Sequence, residues 1–179
     1  MGNKHSSPPY EPVKTSDMLL HKALIRAIKS KYPENVKLLL SNAALDPAIK
    51  DNLALRTAIK YDESLAIAAL LIQDKRVDVS TDSDLLLRVA CLRGNTELVK
   101  ELVIKHNVDP SVMDQNAIMN ACMKGHTKTV EFLLTDSRVD PTVRCDRAVR
   151  LAVFGEYYEI SDLLLTRYYQ PRNLVIVKT

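Results

Sequence analysis

The chain has 179 residues, with 25 Lys and Arg against 22 Asp and Glu and a formal net charge of +3. That balance excludes a histone-like polycation and leaves room only for a local charged patch. Hydrophobic residues make up 46% and aromatics 5%, enough for one continuous core of Leu, Val, Ile and Ala in a single domain-sized unit. With no run of about 18 apolar residues, no membrane-spanning helix is expected. The polar, Pro-containing start does not read as a secretory signal.

In chain order, residues 1–16 read as a flexible arm, since its prolines forbid a helix. Ser16 or Asp17 is positioned to cap a first helix running to about Lys31. Pro33 suits the first turn of a second helix, carrying Val36 and Leu38 to Leu40. Asp51-Asn52 is a capping pair for the next unit, which reaches to about Asp74. Ser83-Asp84 opens a third, in which Leu87 and Ala90 face a core and Gly94-Asn95 break the helix. Leu98, Val99, Leu102 and Val103 then lie on one face of its second helix. The fourth starts near Asp114, with helices over 116–124 and 127–135, and the fifth runs from Asp146 to about Tyr168. Residues 169–179 differ: Pro171 stops helix, and Leu174-Val175-Ile176-Val177 is a short apolar run with strand propensity. That tail either covers the open face of the last unit or offers a strand to a partner.

Two markers show that these units repeat. An alanine in each first helix falls at 27, 58, 90, 121 and 152, in steps of 31 or 32. An aliphatic-Asp pair falls at Leu45-Asp46, Val77-Asp78, Val108-Asp109 and Val139-Asp140, at the same period, with Pro following in three of the four. A fixed period of about 20–50 residues signals a solenoid.

Around each alanine the pattern is consistent. An aliphatic precedes it by three: Leu24, Leu55, Leu87, Ile118, Val149. Gly94 and Gly125 follow by four, and His126 follows Gly125. Val36, Ile67, Val99 and Val130 follow by nine, and Leu or Val fills positions twelve and thirteen in all five. Gly94–Val103 (GNTELVKELV) and Gly125–Leu134 (GHTKTVEFLL) are similar to the second-helix pattern of the ankyrin repeat, over roughly residues 17–168. Tetratricopeptide repeats, with a period of about 34 and a Trp-Leu-Gly-Tyr pattern, fit less well. The resemblance implies an all-α, ankyrin-like α-solenoid of about five helix-turn-helix repeats. Because the T-P-L-H start is absent and the turns are short, its hairpin fingers are expected to be stunted. Capping residues are expected at nearly every first-helix start.

The resemblance further implies a non-enzymatic protein-interaction module whose first helices and turns line a concave binding face. A basic residue stands on every first helix: Arg26 and Lys29, Arg56 and Lys60, Arg88 and Arg93, Lys124, and Arg150. Acidic residues such as Asp46, Asp74, Asp109 and Asp136 gather in the turns and second helices. One reading is a basic groove for an acidic protein partner. The other is that Arg56, Arg88 and Arg150 bond neighbouring turns, for which the planar guanidinium is suited. Regulation or inhibition of an enzyme, or association with nucleic acid, is the alternative role. Apart from Tyr61 and Phe154, the first helices lack aromatics for base stacking, which disfavours nucleic acid.

No phosphate loop, nucleophile elbow, HExxH or CxxC is present, so no catalytic residue and no cofactor is expected. Cys122 and His126 are at helical spacing but make only two of the four ligands of structural zinc. Cys91 and Cys122 occupy equivalent sites in adjacent repeats, too far apart for a disulfide, which suits a reducing compartment. Finally, Met1-Gly2-Asn3-Lys4-His5-Ser6 matches the myristoylation pattern M-G-x-x-x-[ST], with Gly2 as acceptor. The expectation is a protein monomeric alone, cytoplasmic, and partly membrane-associated if Gly2 is acylated.

Overall fold

A computed structural model describes residues 15–62, 65–80 and 82–169. Residues 1–14 of the expected arm, Gly2 among them, and the Leu174–Val177 tail lie outside these residues, while Thr15 and Ser16 belong to the first helix. Among them are ten helices and no strand: α1 (Thr15–Lys29), α2 (Pro33–Leu40), α3 (Ile49–Tyr61), α4 (Ala66–Ile72), α5 (Ser83–Arg93), α6 (Thr96–Lys100), α7 (Val112–Met123), α8 (Thr127–Leu133), α9 (Val143–Phe154) and α10 (Tyr158–Tyr169). A π-helical turn, Glu101–Lys105, prolongs α6.

Odd-numbered helices form one layer and even-numbered helices the other. Each repeat is an antiparallel pair, and repeats stack by α1 on α3, α5 on α7, α7 on α9, α2 on α4, α6 on α8 and α8 on α10. The marker alanines sit at the crossing of the layers. Ala58, Ala90, Ala121 and Ala152 are 0% exposed and Ala27 is 8%. A methyl side chain lets helices approach closely without a helix-propensity cost. The aliphatics before them (Leu24, Leu55, Leu87, Ile118) and those on the second helices (Val36, Ile67, Val99, Val130) are fully buried in the same cluster. In α10 the corresponding site is Ser161, buried, its hydroxyl donating to the Tyr158 carbonyl at 2.8 Å.

The turn between paired helices is built on the alanine carbonyl. Asn95 N–H donates to Ala90 O and Gly94 N–H to Cys91 O, with Gly94 at φ 72°. This six-to-one and five-to-two pair closes the helix in a Schellman turn. It recurs from His126 to Ala121 O, from Tyr157 to Ala152 O and from Tyr32 to Ala27 O. The left-handed residue is Gly125 in the fourth repeat, but Glu156 in the fifth and Lys31 in the first. The first helix therefore ends at Lys29 rather than Lys31. Neighbouring turns stack, so that a Cβ on Gly94 would lie 2.5 Å from His126 Nδ1, and one on Gly125 would strike the Tyr157 ring.

The turn between repeats uses the Asp marker. Asp46, Asp78, Asp109 and Asp140 each accept, through Oδ1, the N–H two residues on, at 2.8–2.9 Å. The chain then enters the next helix almost at once, since Ile49, Val112 and Val143 follow the Asp by three residues and Ser83 by five. The fingers are thus shorter than the stunted ones expected.

Helix capping is where the structure departs most from expectation. No side chain caps α3, α5, α7 or α9. The helices begin earlier than the expected caps, and α1 already begins at Thr15, placing Ser16 and Asp17 inside its first turn. Asn52, Asp114 and Asp146 lie within irregular first turns with φ of 56–57°. Asn52 is buried and donates instead to the Asp78 carbonyl at 2.5 Å. The Asp turn has already reversed the chain two residues upstream, so the helix can start without a cap of its own.

The stack is not uniform. At the join between repeats two and three, α5 does not lie along α3 at the close backbone spacing kept by the other first helices. The alanine step here is 32 rather than 31. Lys31→Gly should raise stability by up to about 1 kcal/mol, because a side chain at left-handed φ costs roughly 1–2 kcal/mol and glycine returns part of that as entropy. Gly94→Ala should lower it, and adding His126→Ala should recover only the steric part; urea denaturation of the three variants measures both effects.

Candidate functional site

The basic residues of the first helices do not form one continuous patch. Arg56 in α3 donates through Nε to both Asp82 oxygens, at 3.0 and 3.1 Å, reaching the start of α5. Asp82 is buried, which makes this a bond between repeats. Arg88 approaches Asp84 of its own helix at 3.7 Å. Arg93 donates to Asp62 O at 2.6 Å and Ile59 O at 3.2 Å, filling the C-terminal end of α3. Repeat two lacks the Schellman turn, its Asp62 being extended at φ −98°, so these carbonyls are the orphans a helix end leaves. Arg150 is exposed and has an interaction of its own. Bonding between repeats, expected for Arg56, Arg88 and Arg150, is thus seen at Arg56 and extends to Arg93.

Arg26, Lys29, Lys60 and Lys124 are exposed. Arg26 stands beside α2 at an open cleft that includes Tyr32 and Leu38. Lys124 closes the end of α7. Lys29 and Lys60, at the same register in adjacent repeats, place their Nζ atoms 5.5 and 5.3 Å from the centre of the Tyr61 ring. Tyr61 is 40% exposed, so the ring and its two cations face solvent. Cation–π attraction holds the ammonium groups there, and neither makes an ion pair among the described residues.

A second set of arginines was not legible in the alanine register. Arg76 is clamped by Asp74, Nε to Oδ1 at 2.9 Å and Nη2 to Oδ2 at 2.6 Å. It is thereby aimed at the preceding repeat, donating to Leu40 O at 2.7 Å, Asn42 O at 3.2 Å and Leu45 O at 2.6 Å. Asp136 clamps Arg138 with the same geometry, at 2.9 and 2.6 Å. The hydrogen bonds from these guanidinium groups hold the Asp74 and Asp136 carboxyls below the usual range. The signal was a second Asp-x-Arg spacing, DKR and DSR, four residues ahead of the Asp marker.

At the join, a cleft of about 1050 Å³ opens on the side of the turns, lined by Arg76, Asp78, Asp84, Lys105, His106 and Asp109 among others. Its charges are mixed, and its wall is the π-helical turn. Cys91 and Cys122 are buried free thiols, both pushed up to about 12 by burial, so neither is a nucleophile at neutral pH. Among the described residues no three His, Cys, Asp or Glu could hold a metal, and no helix is long and apolar enough to cross a membrane.

His21 in α1 is buried, and neither ring nitrogen has a hydrogen-bond partner among the described residues. Burial, then the charge of Lys50, lowers its pKa from 6.5 against the opposing pull of Asp46. The unfolded chain therefore takes up the proton first, and stability should fall as pH drops below about 6.5. The lowered carboxyls contribute stability that is present above their ordinary pKa and lost as pH falls below about 4. Urea midpoints between pH 7 and 5 should decline in the wild type and stay flatter in His21→Leu. Arg76→Ala, which uncovers three carbonyls, should cost about 2 kcal/mol at pH 7.

Residues 87–173 match the family model for ankyrin repeats, in three copies. No curated protein matches the chain. The match opens at Leu87, in the first helix of repeat three, so it falls wholly on the far side of the join from repeats one and two. Together with the stacked helix pairs, it shows the chain's resemblance to ankyrin repeat proteins.

Proposed function

We propose that this ankyrin-repeat chain is a non-enzymatic adaptor that holds an acidic protein segment on the exposed face of its first helices. Ankyrin repeats are in general protein–protein interaction modules. The observation that carries the finer reading is the Lys29–Tyr61–Lys60 cluster. Two ammonium groups from adjacent repeats share one exposed ring and make no ion pair among the described residues. Holding two like charges together on a surface is unfavourable unless a counter-charge is brought to them. Lys124 and Arg26 add exposed positive charge on the same layer of helices. Arg56 and Arg93 support the face rather than form it, because their donors are taken by other repeats.

Such a surface should act mainly through specificity and association rate, and weaken with salt. A fluorescent polyglutamate probe should bind the wild type at low ionic strength and be released as salt rises. Lys29→Glu/Lys60→Glu/Lys124→Glu should lose that binding while keeping its helical circular dichroism. Unchanged binding by the triple variant would reduce the cluster to a solvated face.

Acylation of Gly2 is part of the same proposal, supported by the Met1–Ser6 pattern. The protein is then cytoplasmic, with a fraction held at membranes. A single myristoyl chain binds bilayers with an association constant on the order of 10⁴ M⁻¹, which is reversible and needs a second contact for stable residence. Gly2→Ala should shift the membrane fraction to the soluble pool in cells that contain the acyltransferase. Identical fractionation of the two forms would remove the tether from the proposal.

A further inference from the structure

One register of the first helices changes character along the array. The residue two after the marker alanine is Lys29, Lys60, Leu92, Met123 and Phe154 in successive repeats. In the first two it is an exposed cation beside Tyr61. In the third it is half-buried; in the fourth it is 40% exposed, and in the fifth 92%. Val153 beside it is 49% exposed, so the apolar surface there extends beyond one side chain. The change from charge to hydrocarbon falls between Lys60 and Leu92. That is also where α5 parts from α3, where Arg93 spans the gap, and where the family match begins.

We propose that this strip is a bipartite docking surface for one polypeptide segment with an acidic block and an apolar block. The acidic block lies on repeats one and two, against the Lys29–Tyr61–Lys60 cluster. The apolar block lies on repeats four and five, against Met123 and Phe154. This rests on the proposed interaction role of the first-helix face. Charge complementarity selects the occupant. The ammonium groups of Lys29 and Lys60, which make no ion pair among the described residues, call for carboxylates, and the exposed Met123 and Phe154 call for apolar side chains. Lys124, beside Met123, and Arg147 and Arg150 in α9 are exposed as well, so cations border the apolar half. Stacked helices lie about 8–10 Å apart and the step across the join is wider, so the four steps from Lys29 to Phe154 span at least about 30–40 Å. An extended segment of about 11 residues, or a helix of about 24, covers that length. The two blocks must therefore be separated in sequence rather than interleaved.

The test uses the full chain and synthetic 24-residue peptides of one composition, in Glu, Leu, Phe and Ser. Two peptides carry the Glu and the apolar residues in separate blocks, one in each order, and a third alternates them. The expected result is that at least one block peptide binds tenfold or more tighter than the alternating one. Lys29→Glu/Lys60→Glu should abolish that advantage together with its salt dependence. Met123→Ser/Phe154→Ser should abolish the advantage and leave the salt dependence of the remainder intact. Equal binding of all three peptides, lost in the lysine variant alone, would overturn the bipartite surface and leave the acid-binding face standing. Absence of binding by any peptide overturns both. Phosphatidylserine vesicles that compete through Phe154, or a dimer in sedimentation equilibrium that Phe154→Ser dissociates, would assign the apolar end to a lipid surface or a second copy and overturn the proposal.

Discussion

The hydrogen bond from the turn to the carbonyl of the marker alanine sets the geometry of the hairpin in repeats one, three, four and five. It closes the first helix at a fixed residue, throws the chain into a left-handed step and sends the second helix back antiparallel. Because the acceptor is the alanine itself, the residue that fixes the helix crossing also fixes the turn. Four of the five repeats share this arrangement. Repeat two does not, and its exposed helix end is completed by Arg93 from outside. The same Arg93 reaches across the join between repeats two and three.

Much of the fold was legible because close packing leaves a strong imprint. Ala27, Ala58, Ala90, Ala121 and Ala152 had to be small, and the aliphatics three before them had to be apolar, whichever surface side chains surrounded them. The helix starts were misread for a physical reason. Asn52, Asp114 and Asp146 are good caps in isolation, yet the Asp turn upstream had already admitted the chain to the helix. Local propensity yielded to a constraint a few residues away. The short fingers were anticipated in kind, though the observed turns are shorter still, for the same reason.

The candidate surface was legible only in part. A basic residue on every first helix is visible in the sequence, but whether its donors are already taken is a matter of reach. Arg56 and Arg93 find Asp82 and the α3 carbonyls in three dimensions, whereas Lys29 and Lys60 lie over the Tyr61 ring and make no ion pair among the described residues. Equal charges in a string of letters thus divide into struts between repeats and cations on the exposed face. Arg76 escaped notice because its backbone partners lie 31 to 36 residues upstream and leave no residue-type signature, and Arg138 because its partner is Asp136, two residues away in the turn and outside the alanine register.

The reach of Arg76 has a consequence for synthesis. The carbonyls of Leu40, Asn42 and Leu45 gain their guanidinium donor only when a residue more than thirty positions later arrives and is oriented by Asp74. A chain emerging from the ribosome therefore carries each repeat in an unfinished form until most of its successor has left the exit tunnel. His126, which reaches back to Leu92 O at 3.0 Å, repeats the dependence further along. Vectorial growth then proceeds one repeat in arrears, with the newest helix pair always lacking the side chains that close it.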